Sequence, residues 1–221
     1  MSAGAAVIRP YEPTDRARVR HICFRTGYLG DPVDWQWRDS ESFADMFSGY
    51  YTDVEPESAF VVEIDGQVEG YLLGAVDARK PWNIGKVAGG HILRRGIAFR
   101  PGTAPVIWRT ILDGARDVLT KRVDPRDLEF HDKRYPAHLH IDLLPAARGQ
   151  GAGRRLINAW LDRLRSLDVA GCHLQTFAEN HRAVLFFHAV GFTDAGPPVL
   201  TPGLRSPDGD RLHTLAMVQA L

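Results

Sequence analysis

Residues 137–167, AHLHIDLLPAARGQGAGRRLINAWLDRLRSL, leave this chain few folds to choose from. The opening alternates: His138, His140 and Asp142 share one side of an extended segment, and Leu139, Ile141 and Leu143 share the other. Pro145 cannot donate to a sheet ladder, so the strand ends there. From Leu156 the period becomes helical. Leu156, Ile157, Trp160, Leu161, Leu164 and Leu167 fall on one apolar stripe about 100° wide. Between the two, Arg148-Gly149-Gln150-Gly151-Ala152-Gly153 feeds the strand directly into a helix N-terminus. That succession calls for a sheet covered by helices.

The turn also carries chemistry. Unpaired N–H groups at a helix start, reinforced by the helix dipole, form a ready anion site. Glycines at alternate positions remove Cβ atoms that would hold a phosphate away, and Arg148, Arg154 and Arg155 add positive charge. A polyphosphate suits Arg148–Arg154 better than a single carboxylate does. The plainer reading is a strand–helix joint in which glycine serves tight packing. A Walker loop, Gly-x4-Gly-Lys-[Ser/Thr], does not occur. The dinucleotide fingerprint Gly-x-Gly-x-x-Gly is not matched either, because Gly153 comes one position early and is followed by Arg154. Its acidic partner is also misplaced, since the nearest candidate, Glu179, lies about ten positions too far on. NAD is left as a weak alternative.

The rest of the chain predicts one domain over residues 1–221, with an insertion at about 78–134. Residues 5–9 read as a strand stopped by Pro10, and Pro13-Thr14-Asp15 as a helix start with Thr14 the cap and Gly27 the close. Residues 28–57 are aromatic and irregular, with a helix around 40–51; Tyr28, Trp35, Trp37, Phe43, Phe47, Tyr50 and Tyr51 fall here. Asp65-Gly66 joins two strands as a hairpin. Within the insertion, Pro81, Gly85, Gly89-Gly90, Gly96 and Pro101-Gly102 predict loops. Residues 105–122 predict a helix with Trp108, Leu112, Ala115 and Leu119 on one face. The insertion either caps and shapes a cleft or is a plain surface excursion. Downstream come a strand at 171–177, a helix at 179–190 stopped by Gly191, prolines at 197, 198 and 202 that break the pattern, and a closing strand from Arg211. Strands outnumber βαβ crossovers. The fold class is therefore α/β (α+β in some schemes): a mixed, largely antiparallel sheet with helices on both faces.

Composition narrows the partners. Lys+Arg and Asp+Glu are both 27, so no bulk basic field recruits nucleic acid. Cys23 and Cys172 are too few and too far apart for a disulfide framework or a zinc cluster, and no metal is expected. No apolar run approaches about 18 residues and the N-terminus lacks a signal segment, which predicts a cytoplasmic protein without membrane attachment.

Two strings then point the same way. Arg148-x-x-Gly151-x-Gly153, after a strand ending at Pro145, resembles the pyrophosphate-binding motif of the GNAT superfamily of acyl-CoA N-acetyltransferases. Asn180-His-Arg-Ala183-Val-Leu-Phe186-Phe187-His-Ala-Val-Gly191-Phe192 resembles the same superfamily's second signature, Asn-x-x-Ala-x-x-Phe-Tyr-x-x-x-Gly-Phe. The segments VIRPYEPTDRARVRHIC and HIDLLP further resemble the acetyltransferase-like domain that accompanies some O-GlcNAc hydrolases.

The resemblance implies acetyl-CoA as co-substrate, lying where the strands ending near Leu144 and Phe177 splay apart. It implies that the N–H of Leu143 or Leu144 polarises the thioester carbonyl, that Asn180 contacts the pantetheine arm, and that an amine attacks directly, without an acyl-enzyme. It also implies that the aromatic segment 28–57 walls the acceptor cleft. At position 187 the signature usually carries a tyrosine that protonates the departing thiolate; Phe187 has no proton to give. The acceptor is an amine of a small molecule, a protein lysine or an N-terminus, with the chain a monomer or homodimer.

A lysine-like amine of pKa ~10.4 is only about one-thousandth neutral near pH 7.4, so a base must deprotonate it. Asp142 is the candidate, with His140 and His138 behind it on the same strand side. The alternative for Asp142 is a structural carboxylate bonded to backbone or to His140. A non-catalytic acetyl-CoA-binding module is the competing function.

Overall fold

The computed structural model describes residues 4–78, 84–124, 126 and 130–221. Among the described residues eight strands form one sheet: β1 Val7–Pro10, β2 Ala59–Ile64, β3 Gln67–Ala75, β4 Ala137–Leu143, β5 Gly171–Phe177, β6 Thr193–Asp194, β7 Val199–Arg205 and β8 Arg211–Ala220. Their order is β1-β2-β3-β4-β5-β8-β6, with β7 also on β8. Among the described residues only β4 and β5 run parallel. Seven helices accompany the sheet among the described residues: α1 Arg16–Thr26, α2 Ser40–Phe47, α3 Gly49–Asp53, α4 Ile84–Arg95, α5 Ala104–Leu119, α6 Ala152–Ser166 and α7 His181–Ala189. The expected mixed, largely antiparallel sheet with helices on both faces is what forms.

Period-2 alternation in the strands creates two cores. On one face the α6 stripe of Leu156, Ile157, Trp160, Leu161 and Leu164 packs with Val62, Leu72 and Leu139. Trp160 is fully buried, and a Cβ at Gly74 would sit 2.3 Å from its ring, so glycine lets the helix approach the sheet. On the other face Val19, Ile22 and Cys23 of α1 pack with Val61, Tyr71 and Leu73. The β2–β3 turn takes the hairpin form its sequence predicts, with Asp65 at φ 50° and Gly66 at φ 76°.

Several expectations need correcting. Thr14 does not cap α1. A short 3-10 turn at Pro13–Asp15 precedes the helix, and the Glu12 N–H donates to Asp15 Oδ2 at 2.9 Å. Gly27 does close α1, as its C-cap, with a right-handed φ of −66°. The helix around 40–51 is two helices that meet at Ser48. The prolines after 197 do not abolish structure. β7 runs through Pro202 as an edge strand whose register shifts between Leu200 and Arg205, the irregularity that lets an edge tolerate proline. Within 78–134, Gly85, Gly89 and Gly90 lie in α4, where packing against α2 overrides the propensity cost. Pro81 and Pro125 lie outside the described residues.

α5 forms over the expected residues, and its apolar stripe is not its buried side. Its sheet-facing side is polar: Asp113 pairs with Arg205, and the fully buried Asp117 pairs with Arg211. Trp108, Leu112 and Leu119, which the spacing puts on one face, are exposed. Paired charges at i and i+4 tie this helix to β7 and β8, beside the buried Val106 at its start.

Candidate functional site

β4 and β5 pair only at Ala137↔Cys172 and His138↔His173. Beyond His138 they diverge, while β4 stays paired with β3 from His138 to Leu143. The parted strands open into a cavity of about 870 Å³ that reaches from the 148–154 turn to the aromatic segment after α1.

Strand alternation decides which backbone groups face this opening. The Leu144 N–H donates to the Glu69 carbonyl at 2.8 Å, so it belongs to the β3 side. The preceding residue must face the other way, and the Leu143 N–H therefore looks into the splay. The Leu143 carbonyl, on that same side, accepts from Arg148 Nε at 2.8 Å. Of the two candidate donors, Leu143 is the one free of the ladder.

At the mouth of the splay, Gly149 and Gly151 adopt φ 75° and 72°, and Gly151 is the N-cap of α6. A Cβ at either position would meet nothing within 4 Å. Glycine is needed here for the left-handed backbone, not to clear a neighbour. Gly153 is different: its Cβ would lie 3.0 Å from the Phe186 ring, so it serves packing of α6 on α7. Among the described residues no backbone carbonyl accepts from the N–H groups of residues 149–154; the first helical bond is Arg155 N–H to the Gly151 carbonyl, at 3.1 Å. Six donors at one turn with a helix dipole behind them form an anion cradle.

The basic side chains contribute unevenly. Arg148 is spent on the carbonyls of Leu143 and Gly30, and burial beside Arg182 holds its guanidinium below the ordinary arginine range. Arg154 donates to the Ala189 carbonyl at 2.8 Å, Arg155 to the Ala6 carbonyl at 2.9 Å, and Gln150 to the Ala146 carbonyl at 2.7 Å. These side chains brace the turn, and its backbone presents the positive field.

The Asp142 carboxylate stands on the opposite side of β4 from Leu139 and Leu143. Tyr71, its cross-strand partner, donates to Oδ2 at 2.6 Å, and His140 Nε2 lies 3.2 Å from the same oxygen. Among the described residues nothing bonds Oδ1. His140 Nδ1 is 3.2 Å from the Phe47 carbonyl. Both ring nitrogens thus face acceptors, and only imidazolium can donate to both. Burial opposes that charge, but the Asp142 carboxylate and the two hydrogen bonds outweigh it and raise the His140 pKa.

Because the folded pKa lies above the unfolded value of about 6.5, the pair's stabilisation is complete below that pH and disappears as pH rises through the raised value. His140→Gln is therefore expected to lower Tm more at about pH 6 than at about pH 9. Equal losses at both, in thermal melts, would mean the pair is not charged.

His138 does not join this pair. Its Nδ1 lies 2.8 Å from the Tyr51 hydroxyl, its ring packs 5.1 Å from that of His173, and burial beside two other histidines holds it well below the ordinary range, neutral. Asn180 does what its position at a helix start dictates: Oδ1 accepts from the Ala183 N–H at 3.1 Å, capping α7. Its residue also lines the cavity, with the amide nitrogen left over. Phe187 is buried between Phe186 and Phe192, its ring edge at the cavity wall. Of the aromatic segment, Tyr28, Trp37, Phe43, Phe47 and Tyr51 line the cavity; Trp35 points to solvent and Tyr50 into the core. Both thiols are buried, and burial pushes Cys172 up to about 12. Sequence reasoning missed Tyr71 altogether; it sits within an apolar strand, and only the β3–β4 register reveals its partner.

No helix among the described residues is long and apolar enough to cross a membrane. The Acetyltransferase (GNAT) family profile matches residues 123–192, which span the splay, the turn and α7. Across the whole chain the protein is 30% identical to SsHAT, with 98% of each chain covered and a TM-score of 0.69. It also superposes on yncA of Salmonella typhimurium, solved with its cofactor acetyl-CoA, at 16% identity over 99% of this chain and 95% of that one, with a TM-score of 0.57. The ribosomal-protein-alanine N-acetyltransferase of Brucella melitensis matches at 17% identity over 97% and 99%, with a TM-score of 0.55. The last two likenesses bear on the fold alone.

Proposed function

The chain belongs to the acetyltransferase (GNAT) family, whose co-substrate is acetyl-CoA, and from that premise we propose that it transfers acetyl directly from acetyl-CoA to an amine. The observation that carries this reading is the pairing of two unspent groups at one splay: the Leu143 N–H at the β5-facing edge of β4 and Asp142 Oδ1 on the adjoining α1–α3 face. We read the closer affinity, on residues 7–23 and 140–145, as lying with the acetyltransferase-like domain that accompanies some O-GlcNAc hydrolases.

The residues fit the co-substrate. The N–H groups of Gly149, Gln150, Gly151, Ala152, Gly153 and Arg154 would hold its pyrophosphate, in a cradle whose glycines carry no side chain over it. The exposed backbone edge of β4 would pair with its pantetheine arm, and Asn180 would donate its amide N–H₂ to the same arm. Bound acetyl-CoA supplies an activated acetyl group. The Leu143 N–H then polarises the carbonyl where negative charge develops, and it needs no reorganisation because β4 already fixes it. Tyr71 and His140 lock Asp142 through Oδ2, leaving Oδ1 to take the proton of the incoming amine. Neither thiol is poised to form an acyl-enzyme, since both are buried with raised pKa values.

The test is turnover: thiol release from acetyl-CoA in the presence of an amine, with the acetylated amine identified by mass. Tight acetyl-CoA binding without acetylation of any amine would instead establish a non-catalytic acetyl-CoA-binding module, the reading that phenylalanine at 187 favours.

The two roles given to Asn180 separate by substitution. Asn180→Ala is expected to raise the KM for acetyl-CoA and, through loss of the cap worth about 1 kcal/mol, to lower Tm by roughly 2–4 °C. Asn180→Asp keeps the cap and loses the donor, so KM should rise while Tm holds. A fall in Tm with unaltered KM in the alanine variant would leave the cap as the only role.

A further inference from the structure

Resting on the acetyl-transfer reading, we infer that the acceptor is a monoamine with an apolar, aromatic-sized substituent, not a polyamine or a lysine in a basic peptide. The inference comes from what surrounds Asp142. Its carboxylate lies on the α1–α3 side of the sheet, and the acceptor must approach from there. That half of the cavity is walled by Tyr28, Phe43, Met46, Phe47 and Tyr51. Phe47 lends its carbonyl to His140, and Tyr51 lends its hydroxyl to His138, so both residues stand next to the ionisable row on β4. Phe47 is 36% exposed although it packs on Phe43 at 4.6 Å, which leaves ring surface for a ligand to cover.

Charge bookkeeping points the same way. Among the described residues Asp142 is the only carboxylate lining the cavity, whereas Arg148, Arg154 and Arg182 all line it. Asp142 can serve one ammonium. A second cation on the acceptor would find no second carboxylate among the described lining residues, and losing its water there is not offset by an opposite charge. An aromatic wall attracts a bare cation only weakly when water still reaches it. An aryl or alkyl group, by contrast, gains from every Å² it covers, and about 100 Å² of apolar surface is worth on the order of 50-fold in affinity.

The experiment compares phenethylamine, ethylamine, spermidine and a lysine-bearing peptide with the full chain at saturating acetyl-CoA, products being identified by mass. Phenethylamine is expected to exceed spermidine and the peptide at least tenfold in kcat/KM. Phe47→Ala should raise KM for phenethylamine at least tenfold more than KM for ethylamine, a contrast that misfolding would not produce. Preference for spermidine or the peptide would overturn the acceptor class and leave acetyl transfer standing. Failure to acetylate any amine would overturn both.

Discussion

Replacing Gly151 by glutamate is expected to weaken acetyl-CoA binding at least a hundredfold, to the point that calorimetry detects no heat. The substitution acts twice on the turn. Gly151 sits at φ 72°, where a side chain costs about 1–2 kcal/mol, and its Cβ direction is open, so the new residue fits without a collision. The carboxylate then stands over the unpaired N–H groups of 149–154 and takes the place of the pyrophosphate. Gly151→Ala separates the two effects, since it carries the strain without the charge; it should lose roughly 2–8 °C in Tm and only part of the affinity. Unchanged affinity in Gly151→Glu would mean that the phosphates lie elsewhere.

Asp142→Asn is expected to lower kcat/KM for the amine at least tenfold, with 10²–10⁴-fold the usual range for losing a general base, while acetyl-CoA affinity holds. Asparagine keeps the size of the carboxylate and can still accept from Tyr71, so the strand should survive the change. Tyr71→Phe is the companion: it leaves Asp142 in place but frees Oδ2, and should cost less than the loss of the base. Full activity in Asp142→Asn would show the base to be wrongly assigned. The departing thiolate needs less help. A thiol pKa near 8.5 lets it leave at neutral pH, so the absence of a phenol at Phe187 slows transfer without preventing it.

Much of this site was legible in the residues. Alternation through 137–143, the glycine turn and the α6 stripe fixed a strand–turn–helix unit, and each part forms within a residue or two of its expected bounds. What escaped depends on neighbours remote in sequence. Nothing local tells Leu143 from Leu144; the bond from Leu144 to Glu69, across β3, decides it. Alternate glycines in the turn look alike in sequence, yet two serve backbone conformation and Gly153 serves Phe186. Nothing local says which face of α5 meets the sheet; ion pairs to β7 and β8 bury Asp117 and leave Trp108 and Leu112 exposed. The row of ionisable groups behind Asp142 stops at His140, because Tyr51 claims His138 from a helix some 90 residues upstream.

The central claim is that acetyl-CoA lies in the β4–β5 splay with its carbonyl on the Leu143 N–H. Amide NMR during titration with acetyl-CoA tests it most directly. Large shifts are expected at Leu143 and across residues 149–154, with Leu144 little changed because Glu69 already holds its N–H. Saturable binding that leaves the Leu143 amide unmoved would contradict it.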